Sequence, residues 1–137
     1  MKQYLICVIL LLLAAIPAPT QTTTEQLAQQ SAEAWLARVD AGEYAQSWQQ
    51  ASSTFKAHVT KDQWVKMIGA TLGPLGANTS RKLKSARYTT TLPGAPDGRY
   101  VVIQYESSFE HKQSAIETIT PMLDNDGLWH VSGYFIK

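Results

Sequence analysis

Tyr100-Val101-Val102-Ile103-Gln104-Tyr105-Glu106-Ser107-Ser108-Phe109 is the stretch whose pattern decides the fold. Val101, Ile103, Tyr105, Ser107 and Phe109 fall on one side of an extended chain. Tyr100, Val102, Gln104, Glu106 and Ser108 fall on the other, because strand side chains alternate with period two. Such a strand belongs to an antiparallel sheet packed on one face, and the polar Gln104, Glu106 and Ser108 then face water. Downstream, Glu110-His111-Lys112-Gln113 connects it to a strand expected from Ser114 to Leu123. Pro121 in that strand cannot donate to the ladder and marks an edge or a bulge. Asp124-Asn125-Asp126-Gly127 is a hairpin turn with Gly127 supplying positive φ. The closing strand puts Trp129, Val131, Gly133 and Phe135 on one side and His130, Ser132, Tyr134 and Ile136 on the other. Upstream, Pro93-Gly94-Ala95-Pro96-Asp97-Gly98 is a loop. Before it Ala86, Tyr88, Thr90 and Leu92 share a strand face, with Leu83 out of phase as at a bulge.

Ahead of Gly76 the period is helical. Thr22 and Glu25 have the spacing of a capping box, followed by a stripe of Leu27, Ser31, Trp35 and Val39 with Ala28, Ala32 and Leu36 beside it. Gly42 is the expected left-handed terminator. Tyr44, Trp48 and Ala51 mark a second, shorter helix that Ser52-Ser53-Thr54 breaks. Thr60 and Gln63 form another capping box, opening a third helix through Trp64, Met67, Ile68 and Leu72 that Gly73-Pro74 stops. The fold class expected is α+β, with three N-terminal helices packed on a curved four-stranded antiparallel sheet. Large residues on both faces of the second and last strands are the reason for expecting curvature.

The 137 residues fit one domain, and 12 Lys+Arg against 11 Asp+Glu exclude the basic excess of a nucleic-acid groove. Arg81-Lys82-Leu83-Lys84 with Arg87 is too short to change that and is expected to be a solvated strand start. Lys2 followed by the apolar run Leu5 to Ala15 and then small residues resembles a secretory signal peptide. The run is shorter than the ~20 residues needed to span a bilayer as a helix, so no membrane span is expected in the mature chain. Residues 1–20 are therefore assigned to the signal, with cleavage at about 18–24, and residues 24–137 to the single domain. Cys7 lies inside the apolar run, where a lipidated cysteine would not be, so the expected location is periplasmic or secreted. Removal of the signal takes the only cysteine, and with it any disulfide, thiolate nucleophile or Cys metal ligand.

Three motifs carry a resemblance. Trp35-Leu36, Val39-Asp40-Ala41-Gly42-Glu43-Tyr44 and Ser47-Trp48 resemble the opening of a bacterial family of exported domains of unknown function, number 4019 in that series. Leu92 to Tyr100, with Tyr105 and Phe109, is similar to its central hairpin, and Asp126 to Ile136 to its closing strand. The resemblance runs from about Gln26 to Lys137 and implies the cystatin-like, or nuclear-transport-factor-2-like, cone. In that fold a bent sheet wraps a long helix, and its open end often holds a small molecule. The fold does not fix an activity. An Arg associated with the family shortly before the Leu-Gly that ends the third helix is absent here, where the chain reads Gly69-Ala70-Thr71-Leu72-Gly73.

Chemistry candidates are few. His58, His111 and His130 are in different elements with no metal-binding spacing, and no metal or cofactor is expected. Ser107, Ser114 and Ser132 sit in ordinary strand contexts, with no nucleophile elbow. Glu106 and Glu117 lie mid-strand and are expected to pair roughly opposite each other, with His130 approaching from the last strand. Like charges so placed must splay into water or raise a pKa, which makes these three the weak candidates for general acid/base catalysis. Trp48, Trp64, Tyr88, Tyr105 and Trp129 combine apolar bodies with polar tips and are the candidate ligand-binding residues. The function expected is non-catalytic binding of a small apolar ligand or a protein partner through an aromatic-lined cone. A small general acid/base enzyme and a structural homodimer are the alternatives.

Overall fold

The computed structural model describes residues 15–18 and 21–137. Residues 1–14 and 19–20, which carry most of the expected export signal, lie outside the described residues. Among the described residues no helix is long and apolar enough to cross a membrane. Among the described residues four α-helices precede four strands: α1 Thr24–Asp40, α2 Tyr44–Gln50, α3 Ser53–His58, α4 Lys61–Leu72, β1 Asn78–Thr89, β2 Tyr100–Phe109, β3 Lys112–Leu123 and β4 Trp129–Ile136. A single turn of 3-10 helix, Gly73–Leu75, follows α4. The strands form one antiparallel sheet in the order β1-β2-β3-β4.

Local chemistry sets the helix ends. Thr23 caps α1, its hydroxyl accepting from the Gln26 amide while the Gln26 side chain accepts from the Thr23 amide. The box thus sits one residue later than the Thr22–Glu25 spacing suggests. Gly42, at φ 75°, ends the segment in the left-handed region. Thr60 and Gln63 cap α4 as their spacing predicts. The expected count of three helices is corrected by α3. Ser52 does not merely break a helix; its hydroxyl accepts from the Phe55 amide and caps another.

The buried stripe of α1, Ala28, Ala32, Trp35, Leu36 and Val39, lies on the sheet and touches all four strands. Trp64, Ile68 and Leu72 of α4 join it, and α2 packs between the two helices. From β2 come Val101, Ile103, Tyr105 and Phe109, and from β3 Ala115 and Ile119. Trp35 and Trp64 stand with ring centroids 5.8 Å apart, Trp35 and Tyr134 5.6 Å, and Phe55 meets Trp64 edge-on at 5.1 Å. Buried indoles must place their N–H groups. Trp35 Nε1 donates to the Ser47 carbonyl and Trp64 Nε1 to the Ser47 hydroxyl, each at 2.9 Å.

Two register shifts decide which side chains face inward. Lys84 is the extra residue between the pairs Leu83–Tyr105 and Ser85–Gln104, which is the bulge that the phase of Leu83 indicated. The strand holding it begins at Asn78 and stops at Thr89, short of Thr90 and Leu92. Pro121 sits at the bulge position its missing amide demands. The same shift corrects the expected single alternation of β4. Thr120 pairs with Gly133 and Pro121 with Val131, so Ser132 is looped out. Beyond it the phase inverts: Trp129 and Val131 face the core, then Tyr134 and Ile136 do, while Phe135 is 57% exposed.

Candidate functional site

Glu117 occupies an inward position of β3, between Ala115 and Ile119, and is 1% exposed. A carboxylate so placed must be compensated within the protein. Its Oε1 accepts from Arg81 Nε at 2.7 Å and from the Ser107 hydroxyl. Its Oε2 accepts from Arg81 Nη2 at 3.2 Å and from the Tyr134 hydroxyl at 2.6 Å. Arg81 also makes a fork to Asp40, at 2.8 and 3.1 Å. Burial disfavours the guanidinium charge, but hydrogen bonds and attraction from Asp40 and Glu117 outweigh it and raise the Arg81 pKa further. Burial, followed by the negative charge and hydrogen bond of Glu117, pushes the Tyr134 phenol up. These five residues come from α1, β1, β2, β3 and β4, one from each.

Four donors fill the acceptor positions of this carboxylate. A general base needs a free lone pair within reach of a substrate proton, and Glu117 offers none in this arrangement. Glu106 is elsewhere. The expected pairing of Glu106 with Glu117 is one residue off: Tyr105 is opposite Glu117, and Glu106 is opposite Ile116. With period two, that single step sends the carboxylates to opposite faces, and Glu106 is exposed. His130 lies near the other end of the sheet, with Nδ1 3.1 Å from the Gln50 carbonyl and Nε2 2.7 Å from Asp126. The three are therefore not brought together. Among the described residues no group of three His, Cys, Asp or Glu side chains is placed to hold a metal ion. The expectation of a solvated basic strand start fails at Arg81, whose side chain is 15% exposed, although Lys82, Lys84 and Arg87 are in water.

The five aromatic candidates are dispersed. Trp64 is 3% and Tyr105 2% exposed, both inside the core. The Tyr105 hydroxyl donates to Glu33 at 3.3 Å; burial first, then the Glu33 charge, raises its pKa. Trp48 is half-buried, with Nε1 donating to the Val59 carbonyl at 2.7 Å and Lys56 Nζ 6.0 Å above its ring. Tyr88 stands exposed on the edge strand β1. Only Trp129 lines the groove described next.

Between the first turns of α1 and the β3–β4 hairpin runs an open groove of about 720 Å³. Leu27 and Ser31 of α1 line it, together with Leu123, Leu128 and Trp129 of the hairpin, and Arg99 and His130 complete the lining. Leu27 is 46% and Leu128 61% exposed, so two large apolar side chains face water on the same feature. The Ser31 hydroxyl donates to the Trp129 carbonyl at 2.6 Å and ties the walls together. Asp124 fixes the hairpin by accepting from the Ser53 amide and hydroxyl, each at 2.7 Å. Its carboxyl is held below the usual value, mainly by the Ser53 hydroxyl. A second hollow of about 390 Å³ continues past Trp129 along Ser31, Ala34 and Trp35.

Sequence reasoning found Trp129 but missed Leu27, Leu128 and Arg99. Leu128 carried a signal: an apolar residue directly after the Asp-Asn-Asp-Gly turn has no place in the core. Leu27 was absorbed into the α1 stripe, although it sits at that stripe's edge. No curated protein matches the chain. The family model described as "Protein of unknown function (DUF4019)" matches residues 31–134. That span covers the body of α1, the whole buried network and the groove lining apart from Thr24, Leu27 and Gln30, and the chain belongs to the DUF4019 family.

Proposed function

We propose that this protein is an exported, non-catalytic binding domain that takes a small apolar ligand in the groove between α1 and the β3–β4 hairpin. One observation carries the reading: Leu27 and Leu128, both solvent-facing, converge with Trp129 on a groove whose volume lies in the ~300–1,000 Å³ range of small-molecule sites. Binding would bury surface worth roughly 25 cal/mol per Å² of apolar area. Export is supported by Lys2, the short apolar run after it and the small residues that follow. Kinship with the cystatin-like cone is supported by α1 lying across all four strands of one antiparallel sheet.

The test is a fluorescence titration with Nile red, an uncharged apolar dye. The double variant Leu27→Glu/Leu128→Glu is expected to weaken dye binding more than tenfold while leaving the urea midpoint within error, since neither side chain supports the core. Equal dye binding by the variant and the unaltered protein would overturn the reading.

A further inference from the structure

We infer that the groove's ligand is a free single-chain amphiphile with a carboxylate head, the head on Arg99 and the chain over Leu27, Leu128 and Trp129. The inference rests on the binding reading above and adds the chemical class of the ligand. Arg99 lines the groove, and Leu27, Leu123, Leu128 and Trp129 supply its apolar wall. None of the lining residues is acidic. The nearby carboxylates of the hairpin are engaged, Asp124 by Ser53 and Asp126 by His130. Ion pairs among the described residues join Arg38 to Glu43, Arg81 to Asp40 and Glu117, and His130 to Asp126; none involves Arg99.

The Arg99 guanidinium is also oriented. Its Nε donates to the Tyr88 hydroxyl at 3.3 Å, which leaves the two terminal nitrogens to bond elsewhere. A planar pair of N–H donors matches the two oxygens of a carboxylate. Acid-free walls, an unpaired fork and an adjoining apolar surface are together complementary to an anionic head with an alkyl tail. A membrane surface would instead call for a cluster of several Lys or Arg, and the groove has one Arg, so the occupant is the free amphiphile.

Calorimetric titration of the full chain with decanoate and with decanol, both below self-association, tests this. Decanoate is expected to bind about tenfold tighter than decanol, and its affinity alone should fall as salt rises. Arg99→Gln, at an exposed position, should bring decanoate down to the decanol level; Arg99→Lys should retain part of the preference. Equal binding of the two ligands by the unaltered protein, or a decanoate preference that survives Arg99→Gln, overturns the carboxylate assignment while the groove reading stands. Failure of both ligands to bind overturns the groove reading and this inference with it.

Discussion

Arg81 on β1 spans β2 to reach Glu117 on β3, meeting both carboxylate oxygens at 2.7 and 3.2 Å. Ser107, directly opposite Arg81 in the β1–β2 register, lies beneath the span and donates to the same carboxylate. The pair is a tie across the sheet, and Asp40 extends it to the end of α1. Glu117 is fully buried and the Arg81 side chain is 15% exposed, which fixes the sign of each mutational effect.

Removing one partner strands the other. Arg81→Met is expected to cost about 3–5 kcal/mol, as for other broken buried pairs. The double variant Arg81→Met/Glu117→Leu should be markedly more stable than Arg81→Met alone. Asp40→Asn, at the half-exposed end of the tie, should cost no more than about 1 kcal/mol. Urea denaturation of these three variants, of Glu117→Leu and of the unaltered protein checks this; additive losses from Arg81→Met and Glu117→Leu would show that the two side chains do not act together.

Alkali should loosen the same network. Tyr134 and Tyr105 both have folded pKa values raised above the ordinary 10.0, chiefly by burial and then by Glu117 and Glu33 respectively. The folded state thus holds these protons more tightly than the unfolded chain. The stability this brings is complete below about pH 10 and is lost as pH rises from there toward the folded values. Ultraviolet titration should find two tyrosines that ionise only as the protein unfolds, and Tyr134→Phe should leave one.

Asp124 works in the opposite direction. Its folded pKa is lowered from 3.8, first by the Ser53 hydroxyl, so its contribution is present above that value and disappears as pH falls through the folded one. Asp124→Asn should cost about 0.5–1.5 kcal/mol at neutral pH. The gap from the unaltered protein should narrow on acidification, as followed by thermal melts between neutral and acid buffer.

Gly76 and Gly42 separate strain from space. Both have positive φ, at 73° and 75°. A Cβ on Gly76 would lie 2.9 Å from Glu110 Cβ, whereas one on Gly42 meets nothing within 4 Å. Gly42→Ala should cost about 1 kcal/mol of backbone strain and Gly76→Ala clearly more, within the roughly 1–3 kcal/mol typical of strained sites. Equal losses would contradict the close approach at Gly76.

The parts of this fold legible in the sequence are those with local causes. The alternation of β2, the Thr60–Gln63 box and the bulges at Lys84 and Pro121 each follow from a few neighbouring residues. What was not legible has causes distant in the chain or balanced locally. A six-residue helix behind Ser52 has too few turns to print a stripe, and its Ser-Ser-Thr opening reads as readily as a break. The inversion at Ser132 depends on the register shift opposite Thr120 and Pro121, on another strand. Arg81 looks like one more cation in a basic run until β3 brings Glu117 beneath it, 36 positions later. The groove is legible only in part, because Leu27 and Leu128 are far apart in sequence and each looks ordinary alone.

The groove's role is most directly tested by recording backbone amide spectra of the protein while decanol is added. Shifts are expected to concentrate at Leu27, Ser31, Leu128 and Trp129, saturating with a single affinity. Shifts confined to the outer face of the sheet around Phe135, or none at all, would contradict that role.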